Sequence, residues 1–229
     1  MPAESTPEIA IVDCGLGNLY SVKQACAHVG LRARITSSAA EILAADAAIL
    51  PGVGAFGDAM ATLRRLDLVA VIRDYIAAGR PFLGVCLGMQ LLMSESEEFG
   101  AHEGLGILEG TVARFADPKL GGRRLKMPQV GWNGVYKSRP APAEADPWSN
   151  TLLQGLEEGE PMYFVHSYVV RPADPGIQLS RTSYGDVEFC SAVRRGNVSA
   201  CQFHPERSGP EGLRIYRNLA DRILGGWKE

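Results

Sequence analysis

Two short stretches of the chain carry residue types able to do covalent chemistry. The first is Gly84-Val85-Cys86-Leu87-Gly88, within Pro81 to Gln90. Pro81 to Val85 is an apolar run that reads as a short buried strand. After it Leu87, Gln90, Leu91 and Ser94 follow at helix spacing. Cys86 therefore sits at a strand-to-helix switch between two glycines. That is the sulfur form of the Gly-x-nucleophile-x-Gly elbow, where side chains at the glycine positions would clash as strand and helix close. A helix N-terminus beneath the sulfur favours thiolate, the reactive form. The second stretch is a strand, Val198 to Phe203, ending in His204-Pro205-Glu206. In extended chain, residues two apart face the same side, so His204 and Glu206 project together. Pro205 restricts the backbone of the residue before it. A carboxylate there holds the imidazole in one tautomer and leaves its other nitrogen for a thiol. The pairing points to a cysteine nucleophile with its base. The alternatives are a buried cysteine beside two packing glycines and a structural histidine. A metal reading of Cys86, His204 and Glu206 has no ligand spacing behind it.

These residues need elements that bring them to one edge. Ile9-Ala10-Ile11-Val12 reads as a strand that ends in the turn-rich Asp13 to Asn18. A helix is expected from about Asn18 to His28, then a strand from Leu31 to Ile35. Ser37 or Ser38 is placed to cap a helix running through Leu43. Ala47 to Leu50 is a third strand, and Leu63, Leu66, Val69, Ile72 and Ile76 mark one face of a helix ending at Gly79. Alternating strands and helices imply right-handed crossovers and a parallel sheet, with sites outside the strands' carboxyl ends. The Asp13 loop, the Gly52 loop and Cys86 lie at such ends. Beyond about Gly100, strands are expected at Leu105 to Phe115, Arg124 to Tyr136, Met162 to Val170, Gln178 to Tyr184, Val187 to Val193 and Val198 to Phe203. Short turns between most of them favour antiparallel neighbours. Arg139 to Pro147 reads as a surface loop, and a last helix runs from about Pro210 to Leu224. No internal repeat or linker is evident, so residues 1–229 read as one domain with a polar tail at 1–8.

Gly52-x-Gly54-x-x-Gly57 matches the dinucleotide fingerprint only weakly. It follows the third strand rather than the first, and Asp74, at the usual acidic spacing, falls inside a helix. The other use of such a loop is to aim backbone N–H groups at a developing oxyanion.

Composition excludes several classes. The chain of 229 residues is 46% hydrophobic, enough for one substantial core, and its net charge of −3 does not suggest nucleic acid or an anionic membrane surface as partner. Five scattered cysteines without a C-x-x-C pair argue for a reducing compartment, against a disulfide framework and against zinc. Met1 to Glu8 is unlike a signal peptide, and no apolar stretch spans a bilayer. A cytoplasmic protein without a metal or cofactor is expected.

The elbow through Gln90 and Phe203-His204-Pro205-Glu206, with Pro51-Gly52-Val53-Gly54, together resemble the class I triad glutamine amidotransferases. Val12 to Leu19, Val130-Gly131-Trp132-Asn133 and Tyr163 to Tyr168 narrow the resemblance to the glutaminase-subunit branch of the imidazole glycerol phosphate synthases, from histidine biosynthesis. The resemblance runs from about Ile9 to the last helix. It implies a flavodoxin-like α/β fold, with a central mostly parallel sheet flanked by helices plus a smaller antiparallel sheet. It also implies glutamine hydrolysis by Cys86, His204 and Glu206, with Gly52, Val53 and Leu87 forming the oxyanion hole. Gln90 and Glu98 are implied as contacts to the amino-acid end of glutamine; the other readings are a helix-surface glutamine and a solvated acidic patch. Cys14 and Gln129 depart from the branch, which usually has tyrosine and histidine there.

The chain leaves no phosphate loop or basic patch for an ammonia acceptor, so a partner that takes ammonia directly is expected. The resemblance implies a barrel-fold synthase (cyclase) subunit, joined as a heterodimer, with Trp132, Asn133 and the Asp13–Asn18 loop at the contact. Core packing is the other reading of Trp132. The Gly52–Val53 peptide is expected to leave the isolated chain nearly idle until the partner binds. Competing readings are an anthranilate- or aminodeoxychorismate-type glutaminase, a peptidase, and a non-catalytic module on the same fold.

Overall fold

The computed structural model describes residues 6–138 and 146–225. β1 (Glu8–Val12) leads through the Asp13 loop to α1 (Leu19–His28), whose first turn is capped by the Asn18 side chain accepting from Ser21 N. β2 (Arg32–Thr36) and α2 (Ala39–Ala44) follow, and Ser38 is the N-cap of α2, accepting from Glu41 N. β3 (Ala47–Gly52) is buried along its whole length.

The stretch expected as one helix to Gly79 is two, α3 (Phe56–Arg65) and α4 (Leu68–Ala77). Asp67 between them is left-handed, with φ of 55°, which stops one helix and redirects the next. β4 (Phe82–Cys86) then passes directly into the short α5 (Leu87–Leu91).

Four brief strands and one longer strand follow: β5 (Glu95–Ser96), β6 (His102–Glu103), β7 (Gly110–Arg114), β8 (Lys119–Leu120) and β9 (Arg123–Arg124). The strand expected from Leu105 is thus confined to β7. The backbone before it is instead spent on bonds from Leu105, Gly106, Ile107 and Leu108 back to Leu91, Met93 and Leu92. β10 (Gln129–Lys137) pairs with β11 (Glu160–His166). The strand expected over Met162 to Val170 breaks at Ser167, and β12 (Tyr168–Pro172) leaves for a different sheet. β13 (Gln178–Tyr184), β14 (Val187–Arg195), β15 (Val198–Cys201) and α6 (Gly209–Ile223) complete the chain. Of the loop expected at Arg139 to Pro147, residues 139–145 lie outside the described residues.

The large sheet has nine strands in the order β11-β10-β13-β14-β15-β4-β3-β1-β2. From β15 to β2 neighbours are parallel, and from β15 to β11 antiparallel. A four-stranded sheet, β12-β7-β5-β6, stands beside it and is antiparallel except where β5 meets β7. Alternation along the strands divides the interior. Ile9, Ile11, Ile49, Leu83 and Val85 face a core shared with Cys26 of α1 and Ile215 and Tyr216 of α6. Ala10, Val12, Leu50 and Phe82 face the opposite core, with Phe56, Met60, Leu63 and Ile72 from α3 and α4. Covered on both faces, these strands read as continuous apolar runs. No helix among the described residues is long and apolar enough to cross a membrane.

Candidate active site

β4 is flanked by β3 and β15, and the register sets Gly52 opposite Cys86 and Cys201 opposite Val85. The loop after β3, the elbow cysteine and His204 beyond β15 therefore meet at one sheet edge. The elbow is tight. Cys86 adopts φ 55° and ψ −108°, a conformation that L side chains rarely take and that holds its thiol clear of the sheet. The flanking glycines are demanded by space. A Cβ on Gly88 would lie 1.7 Å from the Leu50 carbonyl oxygen, and one on Gly84 would lie 2.9 Å from that of Gly88.

His204 Nδ1 lies 2.8 Å from Glu206 Oε1, with the two side chains 5% and 2% exposed. The carboxylate can only accept, so Nδ1 carries the proton and Nε2 is left for the thiol. Among the described residues Nε2 makes no formed hydrogen bond. Burial alone would lower the His204 pKa, but the nearby Cys86 sulfur and the bonded, charged Glu206 carboxylate outweigh it and raise the pKa to about 10. Burial pushes the Cys26 and Cys190 thiols up to about 12, and raises those of Cys14 and Cys201 as well.

A cleft of about 220 Å³ opens on the Cys86 side, lined among others by Val53, Gly54, Leu87, Gln90, Glu98 and His166. His204 and Glu206 stand behind the cysteine, outside that lining. Gly52 is buried against the Leu87 side chain, where a Cβ would come within 3.1 Å, while Val53 is 40% exposed at the rim. A cleft of about 320 Å³ lies elsewhere, over β2, but its Arg32 and Arg34 are already paired with Glu8 and Glu41.

Neither Gln90 nor Glu98 lies on a solvated surface. Gln90 is 5% exposed, and its amide Nε2 donates to the Tyr168 carbonyl at 3.1 Å and to Gln202 Oε1 at 3.0 Å. Glu98 is 9% exposed, and its Oε2 accepts from Phe56 N, the first residue of α3, at 2.6 Å. It supplies the cap that Ala55 lacks. Gly57, third glycine of the weak fingerprint, lies inside α3, where a Cβ would meet the His102 ring at 2.7 Å, so packing accounts for it.

The motif reading passed over two buried residues. His166 lines the cleft and donates through Nδ1 to the Tyr168 carbonyl at 2.9 Å. Burial, the largest influence, lowers its pKa to about 4, so it is neutral at physiological pH. Gln202 is fully buried and touches the Cys86 sulfur. The only sequence signal for either was a polar residue inside an otherwise apolar strand. Gln129 stands opposite His166 in the ladder, with neither amide atom bonded among the described residues. Trp132 is 54% exposed, against its reading as core. It stands edge-on to Tyr163, over which the Arg207 guanidinium lies 4.7 Å from the ring centre.

The arrangement has close counterparts. The family model for class-I glutamine amidotransferases matches residues 10–223. The chain belongs to that family. Among amidotransferase relatives, the imidazole glycerol phosphate synthase subunit HisH of Rhodopirellula baltica is 49% identical over 93% of this chain and 96% of its own length. The HisH subunit of Aquifex aeolicus is 44% identical over 91% of this chain and 94% of its own. In fold, the amidotransferase resembles a crystal structure titled glutamine amidotransferase, with a TM-score of 0.68 at 23% identity over 94% of this chain and 98% of that one. It also resembles the PurLQS structure from Thermotoga maritima, with a TM-score of 0.69 at 18% identity over 97% and 100%.

Proposed function

We propose that this amidotransferase is the glutaminase subunit of an imidazole glycerol phosphate synthase in histidine biosynthesis. The observation that carries the reading is the edge where Cys86, backed by His204 and Glu206, faces the cleft. Full-length relatives bearing that subunit's name support the choice of branch.

Cys86 thiolate attacks the side-chain amide carbon of glutamine. The new C–S bond forms as the carbonyl pair moves to oxygen, and N–H groups of Val53 and Leu87 receive that oxyanion. His204, protonated at Nε2 and held by Glu206, gives this proton to the leaving nitrogen, and ammonia departs. Water then attacks the thioester with His204 as base, releasing glutamate and restoring the thiol. Gln90 and Glu98 sit at the cleft wall where the amino-acid end of the substrate would lie.

Ammonia passes to a barrel-fold cyclase subunit held as a heterodimer. The exposed Trp132, with Asn133 and the Asp13–Asn18 loop, is the surface offered to it. Glutamate release is measured for the chain alone and with that subunit loaded with its ribonucleotide ligand. Strong activation by the loaded partner, abolished in Cys86→Ala, is expected. Robust release indifferent to the partner would move the protein to another amidotransferase branch, and none in any mixture would remove the catalytic reading.

A further inference from the structure

Gln202 occupies the last position before Phe203-His204, with no solvent exposure, and its own N–H is bonded to the Ser191 carbonyl at 2.9 Å. Its amide Nε2 lies 3.6 Å from Cys86 Sγ and its Oε1 accepts from Gln90 Nε2 at 3.0 Å. A glutamine amide can be turned either way round, which leaves open the end that meets the sulfur. A backbone carbonyl decides it. The Tyr168 oxygen can only accept, and it receives both Gln90 Nε2 at 3.1 Å and His166 Nδ1 at 2.9 Å. Gln90 therefore presents N–H to Gln202 as well. A flipped Gln202 would set two NH₂ groups against each other. The orientation is fixed from Tyr168 through Gln90 to Gln202, and an N–H must point at the sulfur.

We infer that Gln202 is a catalytic side chain of this site: its amide N–H donates to Cys86 Sγ, and the fixed chain Tyr168–Gln90–Gln202 keeps that donor in place to favour thiolate. The inference rests on the reading of Cys86 as nucleophile. A donor is worth more to an anion than to a neutral thiol, and more still where water is excluded. On its other side the thiol faces the Val165 carbonyl at 3.9 Å, which favours S–H. The Gln202 amide offsets that carbonyl. The ionisable groups around the sulfur are His204 with Glu206 behind it, Cys201 on β15, His166 on β11 and Glu98 across the cleft.

The test is the pH dependence of Cys86 alkylation by iodoacetamide on the whole chain without glutamine, with Cys86→Ala as the blank. Gln202→Met keeps the length and removes the donor. Gln202→Glu keeps the shape and turns an oxygen toward the sulfur. The alkylation midpoint is expected to rise by about one pH unit in Gln202→Met, in keeping with the loss of one donor to an anion, and further in Gln202→Glu. A purely structural glutamine would leave the Gln202→Met midpoint unchanged; Gln202→Glu also brings a negative charge beside the sulfur, so Gln202→Met is the deciding variant. Midpoints equal to the unsubstituted protein in whichever variants remain folded by circular dichroism overturn the inference, and Gln202→Asn and Gln202→Leu replace any variant that does not fold. The assay reads the thiol rather than turnover. It can therefore fail while Cys86→Ala still abolishes glutamate release, which separates this inference from the proposed function.

Discussion

Glu98 gives the sharpest test of how the cleft is built, because its carboxylate holds the first residue of α3. Oε2 accepts from Phe56 N at 2.6 Å across 42 residues of sequence, at a helix whose N-cap residue offers no side chain of its own. Glu98→Ala leaves that N–H buried and unpaired, and it removes an anion from the positive end of α3. A hydrogen bond to a charged group contributes about 1.5–3 kcal/mol. The dipole contribution overlaps with it rather than adding in full. A loss of about 2–3 kcal/mol is therefore expected, or roughly 4–12 °C in melting temperature for a chain of this size. Glu98→Gln keeps an acceptor without the charge and should lose about half as much. Urea unfolding of the three proteins at neutral pH measures the order. Glutamate release measured alongside reads any direct contact with substrate, as a raised KM in the stable Glu98→Gln variant. Equal unfolding midpoints for all three proteins would refute the capping argument and leave Glu98 as a cleft-lining carboxylate only.

Other substitutions probe the elbow, the base and the cleft wall. Gly88→Ala puts a methyl group 1.7 Å from the Leu50 oxygen on a strand buried on both faces, so destabilisation at or above the usual overpacking limit of about 3 kcal/mol is expected, and near-normal melting would contradict the geometry. Glu206→Gln should drop the His204 pKa from about 10 and cut glutamate release by a factor on the order of 10⁴, as for a comparable triad; near-normal turnover would sink the assignment. His166, held at about 4 when folded against 6.5 for the free side chain, binds fewer protons folded than unfolded. Its favourable share of stability is complete above pH 6.5 and fades as pH falls toward 4. His166→Gln should therefore lose about 2 kcal/mol less than the parent between pH 7.5 and 5 in urea titrations. Identical losses would argue against a buried neutral imidazole.

The parts of the site written in adjacent residues were legible from sequence. Gly84, Cys86 and Gly88 are three alternate positions whose chemistry needs only a strand and a helix. His204 and Glu206 face one way because extended chain has a period of two. The strand-helix alternation up to β4 was legible for the same reason. What escaped depends on residues far apart in the chain. Gln202 matters because Gln90 and Cys86 lie 112 and 116 positions before it, and nothing local in Gln202-Phe203 says so. For Glu98 a solvated acidic patch stayed open beside the substrate contact, because its partner is a backbone N–H on α3. The break at Asp67 hid inside an apolar spacing that continues smoothly across it, and the break at Ser167 inside one apolar run that feeds two sheets.

The place of β15, between β4 and β14, bears on how the chain comes to life during synthesis. Residues up to about α5 contain β1 to β4 and the elbow, so that half can collapse while the ribosome is still adding the rest. Until β15 emerges, β4 is an outer strand with free backbone groups, ready to recruit another chain. The same late strand brings His204 and Glu206. One event therefore closes the sheet's exposed side and gives the cysteine its base. A nascent chain stalled before residue 198 would leave the β4 edge unsealed and Cys86 without His204 and Glu206 beside it.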